Sequence, residues 1–343
     1  MRYKLLGRSG LRVAELCLGT MTFGSEWGWG SDKSESRRVF DMYLDQGGNF
    51  IDTANRYTEG TSEKFVGEFI ADKREQIVLA TKFTLKMRNG DPNAAGNHRK
   101  NMVQSLEASL KRLNTDYVDL YWLHAWDFTC GVDEVMRALD DMVRAGKVLY
   151  LGISDTPAWI VSQANMLADL RGWAPFVGLQ IEYSLIERAV ERELLPMARS
   201  LDLGVTPWGI LGGGMLTGKY ANAGDEPKRM QSDSPRLSEH NQAIAAEVGR
   251  VASELERSSS QVAINWLRRQ AGTIIPILGA RTREQLADNL GCLDFSLSDE
   301  QVERLSRISN LELGFPHDFT TKEPIRDIMY AGTYDQLDNH HRR

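Results

Sequence analysis

Four residues of types that move protons stand at or just past the ends of short apolar runs. Asn49-Phe50-Ile51 leads to Asp52, and Tyr57 follows five residues later. Ile77–Thr81 delivers Lys82, and Val118–Leu123 delivers His124. A free tyrosine with a pKa of about 10 is a reluctant acid near neutral pH. A neighbouring ammonium lowers that pKa by stabilising the phenolate, which makes the phenol a usable proton donor. Lys82 is expected to supply the charge, and Asp52 to pair with Lys82 and keep it protonated. His124 is expected to hydrogen-bond the oxygen that receives the proton, so that developing negative charge sits between Tyr57 and His124. Singly, each residue has a plainer reading: a loop cap, a rim aromatic, a structural ion pair, a core histidine. At three consecutive strand ends they describe a site, provided the strands are parallel neighbours whose C-terminal ends share one face.

The rest of the chain is patterned to supply such strands. Leu16–Gly19 precedes a helical pattern over Glu35–Gln46, Phe50–Asp52 precedes Ser62–Ala71, Ile77–Thr81 precedes Arg99–Leu113, and Val118–Leu123 precedes Val132–Ala145. Leu149–Ile153 precedes Ala158–Leu170, and Val177–Ile181 precedes Glu191–Ser200. Leu203–Pro207 precedes a long loop and then Ala243–Gln270, and Thr273–Leu278 precedes Thr282–Leu290. Strand–helix alternation implies a parallel sheet. Eight units in 343 residues predict an α/β fold of the closed (β/α)8 TIM barrel type. An open doubly wound sheet would need a Gly-rich turn after its first strand, and Gly28-Trp29-Gly30 lacks the third glycine. Ser298 with Gln301 three residues on reads as a capping box that opens a last helix over Asp299–Ser309. One barrel with an N-terminal β-hairpin is therefore expected over residues 1–310. Residues 311–343 form a weakly periodic tail, expected to lie over the barrel or to be partly mobile. The Gly-rich segment Gly212–Asp233 reads as a functional loop.

Composition narrows the function classes. Apolar content of 42%, charged content of 26% and a net charge of -6 are those of an ordinary globular protein and argue against nucleic-acid binding. No apolar run approaches the ~18 residues of a membrane span. The N-terminus lacks a secretory pattern, and the odd set Cys17, Cys130 and Cys292 suggests a reducing cytoplasm. No clustered His/Cys pattern supports a metal.

Several separated motifs, in order along most of the chain, resemble the aldo-keto reductase family. Phe50-Ile51-Asp52-Thr53-Ala54 with Tyr57 resembles its first signature. Pro207-Trp208 through Leu216-Thr217-Gly218-Lys219-Tyr220 resembles its cofactor loop, and Gly279-Ala280-Arg281-Thr282 with Gln285 and Asn289 its adenosine-phosphate site. The chain looks like a bacterial member close to the potassium-channel β-subunit branch.

The resemblance implies NADPH-dependent reduction of a small-molecule carbonyl, with Asp52, Tyr57, Lys82 and His124 as the catalytic tetrad. It implies a cofactor site in which Trp208 stacks on the nicotinamide, and Ser154, Asp155 and Gln180 hold the carboxamide. Gly209, Ile210, Leu211 and Gly213 would approach the pyrophosphate with Lys219 and Arg229, and Arg281 would meet the 2′-phosphate. Gln285 and Asn289 would face the adenosine, while Asp288, Thr20, Met21 and Gly279 complete the expected contacts. The family usually carries Asn where this chain has Asp155. A carboxylate can accept from the carboxamide NH2 but cannot donate to its oxygen. Phe23, Trp27, Trp29, Phe83, Trp126 and Phe128 follow strand ends and would line an apolar mouth beside Tyr57 and His124, suited to aromatic or bulky carbonyls. Bacterial members of the family act on varied xenobiotic carbonyls. The channel β subunits suggest the alternative of an NADPH-binding redox sensor, but they carry Asn where this chain has His124. Members of the family range from monomers to octamers, so an oligomer is possible.

Overall fold

The computed structural model describes residues 1–220 and 234–339. A short antiparallel hairpin, β1 (Tyr3–Leu5) with β2 (Arg12–Ala14), precedes eight parallel strands: β3 (Cys17–Gly19), β4 (Phe50–Asp52), β5 (Val78–Phe83), β6 (Val118–Leu123), β7 (Val148–Ser154), β8 (Phe176–Glu182), β9 (Gly204–Trp208) and β10 (Ile277–Gly279). They pair in the order β10-β3-β4-β5-β6-β7-β8-β9. Backbone bonds close the ring on the far side: Val205 N–H donates to Thr273 O, and Ile275 N–H to Val205 O, each at 2.8 Å. The single strand expected over Thr273–Leu278 is thus divided at Pro276. Proline has no N–H for the ladder, so the segment serves β9 before it and β3 after it. The eight strands and their flanking helices form a (β/α)8 barrel.

The helices that alternate with the strands are α1 (Lys33–Asp45), α2 (Thr61–Phe69), α3 (Arg99–Leu113), α4 (Val132–Arg144), α5 (Ala158–Arg171), α6 (Leu194–Ser200), α7 (Glu239–Glu254), α8 (Ser259–Arg268), α9 (Arg283–Leu290) and α10 (Asp299–Ile308). The single helix expected over Ala243–Gln270 is two. The backbone turns left-handed at Glu256, and Ser258 caps α8 in a capping box with Gln261. Ser258 and Gln261 have the same spacing as Ser298 and Gln301, which cap α10 as expected.

Residues along each strand alternate between two apolar layers. Ile51, Leu79, Tyr121, Leu123 and Ile153 face the helices, while Phe50, Val78, Ala80, Leu120 and Trp122 fill the barrel interior. Trp122 needs the two glycines opposite it. A Cβ on Gly152 would sit 2.2 Å from its ring, and one on Gly178 2.8 Å away. Leu6 and Val13, from beside and within the hairpin, are fully buried in the same interior cluster. They close the end of the barrel away from Asp52, Lys82 and His124, so the open mouth is where the strands end.

The chain forms two compact units, Met1–Ser309 and Asn310–Arg343. Despite its weak periodicity, the second unit contains two short helices, α11 (His317–Thr320) and α12 (Glu323–Tyr330), and a 3-10 turn at Tyr334–Gln336. The rings of Tyr330 and Tyr334 meet edge to face at 4.9 Å.

Candidate active site

Alternation along β4 and β5 aims Asp52 and Lys82 into the barrel, and the two strands pair so that Asp52 lies beside Ala80. The Lys82 ammonium is wholly buried. It donates to Asp52 Oδ2 at 2.5 Å, to Thr53 O at 2.9 Å and to Tyr57 Oη at 2.9 Å. Three donors meet three acceptors, which is what a buried ammonium requires. Burial pulls the Lys82 pKa down, but the Asp52 carboxylate and Tyr57 overcome it, and the net direction is upward. Gln180, at the end of β8, donates to the other carboxylate oxygen of Asp52 at 3.1 Å. Asp52 is thereby fixed from two sides of the barrel.

Tyr57 leads a 3-10 turn whose next residues, Thr58 and Glu59, are left-handed, with φ of 46° and 55°. The strain is held by the Thr58 hydroxyl, which donates to Phe23 O at 2.6 Å. The expectation that Lys82 would set the Tyr57 pKa below its ordinary value needs correction. Burial of the phenol is the larger effect and raises the pKa, with the pull of Lys82 working against it. The phenol therefore stays protonated, and the ammonium waits where a phenolate would form.

The His124 ring meets Tyr57 edge to face, with centroids 6.1 Å apart. Burial, helped by the Lys82 charge, lowers the His124 pKa from 6.5 to about 3, so the imidazole is neutral. Its Nδ1 is buried without a partner. The linkage to stability has a definite sign. A histidine held below its unfolded pKa contributes stability that is present above about pH 6.5 and is lost as the pH falls towards about 3. The loss amounts to at most about 1.4 kcal/mol per pH unit. Urea unfolding of His124→Asn should show a shallower decline of stability between pH 6.5 and 4 than the parent; parallel declines would mean that the neutral imidazole is not selected by the fold.

Around this centre lie the residues that would hold a dinucleotide. Ser154 Oγ, at the end of β7, is buried and unpartnered. Asp155 beside it accepts the Trp208 indole N–H at 3.1 Å. After β9 the chain runs through Gly209, Gly212, Gly213 and Gly214, all with φ between 57° and 95°. Only glycine takes such a run without strain, and it leaves backbone N–H groups free of side-chain cover. A Cβ on Gly212 would stand 2.3 Å from Ile186. Lys219 lies 5.4 Å over the Tyr220 ring. After β10, Gly279 faces open space, and the Arg281 guanidinium has no partner among the described residues. Arg281 N–H donates to Gln285 Oε1 at 2.9 Å; Gln285 is exposed and Asn289, one turn on, is buried. An orphaned hydroxyl, a bare glycine turn and an unpaired guanidinium fit a dinucleotide with an amide at one end and phosphate at the other.

Other expected contacts are placed elsewhere. Thr20 has no exposed surface; its hydroxyl donates to Asp52 O and meets Ser62, so it braces the strand ends. Ile210 is buried and Leu211 packs against the core, so their side chains face inward. The Asp288 carboxylate accepts from Ser258 Oγ and Gln261 Nε2 and joins α9 to α8. Arg229 lies outside the described residues. Met21 is half-buried in the loop after β3.

The apolar lining is smaller than expected. Phe83 and Phe23 are fully buried in the layer between strands and helices, Phe83 stacked on Tyr121 and Phe23 against Phe69. Neither reaches the mouth. Trp27 does: its ring stands edge-on to Tyr57 at 6.5 Å and tilts against Trp29 at 5.7 Å. Trp126 packs partly against the core, and Phe128 is exposed with a φ of 59°. The loops behind these two are laced together, since Asp127 accepts the N–H groups of Asn97 and Thr129. Among the described residues no cluster of His, Cys, Asp and Glu could hold a metal ion, and no helix is long and apolar enough to cross a membrane.

The model of the aldo/keto reductase family matches residues 15–310. The norsolorinic acid reductase of Aspergillus flavus is 38% identical, over 94% of this chain and 84% of its own. An NADP(+) aryl-alcohol dehydrogenase of Phanerodontia chrysosporium is 37% identical, over 95% and 91%. A putative aryl-alcohol dehydrogenase of Saccharomyces cerevisiae is 36% identical, over 94% and 90%. These relatives are fungal and yeast proteins; the expected affiliation with bacterial members and with the channel β-subunit branch does not appear among them. The chain is an oxidoreductase that belongs to the aldo/keto reductase family.

Proposed function

We propose that the protein reduces an aromatic or bulky ketone or aldehyde to the alcohol with NADPH, and that Tyr57 is the general acid. One observation carries the reading: a buried ammonium, Lys82, touches both a carboxylate and the phenol at the open end of the barrel. When bound, the dinucleotide supplies a hydride to the carbonyl carbon. Tyr57 Oη gives its proton to the carbonyl oxygen. Lys82 stabilises the phenolate left behind, and Asp52 keeps Lys82 charged and in place. Neutral His124 donates a hydrogen bond to the same oxygen and orients it. Ser154, Asp155 and Gln180 would hold the carboxamide, Trp208 would stack on the ring, and the glycine turn with Lys219 and Arg281 would take the phosphates.

Trp27 beside Tyr57, with Trp29 against it, favours a flat aromatic substrate over a sugar. The norsolorinic acid and aryl-alcohol relatives agree with that choice. Three cysteines without disulfides are compatible with a cytoplasmic setting. The direct test is NADPH consumption against a panel of aromatic aldehydes, quinones and polycyclic ketones. Turnover of several members is expected. Tight NADPH binding with no turnover on any of them would favour a sensor over an enzyme.

A further inference from the structure

We infer that Asp155 makes this site prefer the oxidised, cationic nicotinamide dinucleotide over the neutral reduced one; the inference rests on the dinucleotide site proposed above. Asp155 follows β7 with a φ of 41°, a left-handed conformation that Asp and Asn tolerate better than most residues. Its backbone is held on both sides. The N–H donates to Gln180 O at 3.2 Å, and the carbonyl accepts from Trp126 N–H at 3.4 Å. Its carboxylate accepts the indole N–H of Trp208, a residue two strands away at the end of β9. The group is therefore fixed at the mouth, joined to the indole that would cover the nicotinamide.

An amide there would serve carboxamide recognition better, because it can both donate and accept, whereas a carboxylate only accepts. What the carboxylate adds is charge. The indole N–H is donor-only, so Oδ1 accepts it; burial raises the Asp155 pKa above its ordinary value, while the indole bond and the Lys82 ammonium pull the other way, towards the ionised form. Two charges nearby are paired among the described residues. Lys82 is neutralised by Asp52, and Glu182 is paired with Arg236. Among the described residues, the ionised Asp155 has no cationic partner of its own, which leaves a negative charge at the ring end of the site. A fixed negative charge attracts the cationic ring of NADP+ and does nothing comparable for neutral NADPH. Release of NADP+ after reduction would be slowed, and the equilibrium on the protein would move towards the alcohol and NADP+.

The test is the pair of dissociation constants for NADP+ and NADPH, measured by calorimetry or protein fluorescence at one pH and salt concentration. Asp155→Asn keeps the shape and the tolerance for left-handed backbone while removing the charge. The ratio Kd(NADP+)/Kd(NADPH) is expected to rise roughly tenfold in the variant, chiefly through weaker NADP+ binding. Asp155→Ser, also neutral, should move the ratio the same way and replaces the first variant if that one does not fold. An unchanged ratio in a variant that binds both nucleotides would overturn the inference and leave the proposed function standing. A parent protein that binds neither nucleotide would overturn both.

Discussion

Replacing Tyr57 by Phe should lower kcat by on the order of a thousandfold while leaving the dissociation constant for NADPH nearly unchanged. The variant keeps the ring that stands edge-on to Trp27 and His124 and removes only the hydroxyl. Lys82 loses one of its three acceptors but keeps Asp52 and Thr53 O, so the fold should survive. What disappears is the proton donor. Water at the mouth cannot replace it well, because the remaining donor, His124, is a neutral imidazole held far from its cationic form. If the variant keeps more than about a tenth of parental kcat, Tyr57 is not the principal acid.

Lys82→Met should cost both activity and stability, and the stability loss is the more diagnostic. Asp52 is buried, and without Lys82 its charge rests on Gln180 Nε2 alone. Removing one member of a buried ion pair destabilises by about 3–5 kcal/mol, because the survivor is left uncompensated. Adding Asp52→Asn to Lys82→Met removes that stranded charge and should recover much of the stability. It should recover none of the activity, since no cation faces Tyr57. Chemical denaturation of the two variants separates the effects. Equal stability of Lys82→Met and the parent would mean that the pair does not hold the strand ends together.

The convergence of Asp52, Lys82 and His124 is legible in the sequence because each stands where an apolar run stops, and parallel strands must end together. The same rule shows why Phe83 was misplaced. It follows Lys82 directly, and successive residues of a strand point to opposite faces, so an inward Lys82 sends Phe83 outward to Tyr121. Phe23 was misplaced for another reason. It lies in a loop, where no periodicity indicates the buried side, and the fold turns it towards Phe69. The break between α7 and α8 had a signal in Ser258 and Gln261, hidden within a long amphipathic run. The bond between Trp208 and Asp155 had none: the two residues are 53 apart in sequence and on strands that are not neighbours. The upward Tyr57 pKa was equally hidden, because the depth of its burial depends on Trp27 and the strained turn at Thr58 and Glu59.

Transfer of label tests the central claim most directly. NADPH carrying deuterium on the transferred face of C4 is incubated with the protein and an aromatic aldehyde or polycyclic aromatic ketone, and the alcohol is analysed by mass spectrometry. The account predicts one deuterium on the carbinol carbon of the product, formed by the parent and lost with Tyr57→Phe. Product that carries solvent hydrogen on that carbon, or product formed equally by the variant, would contradict it.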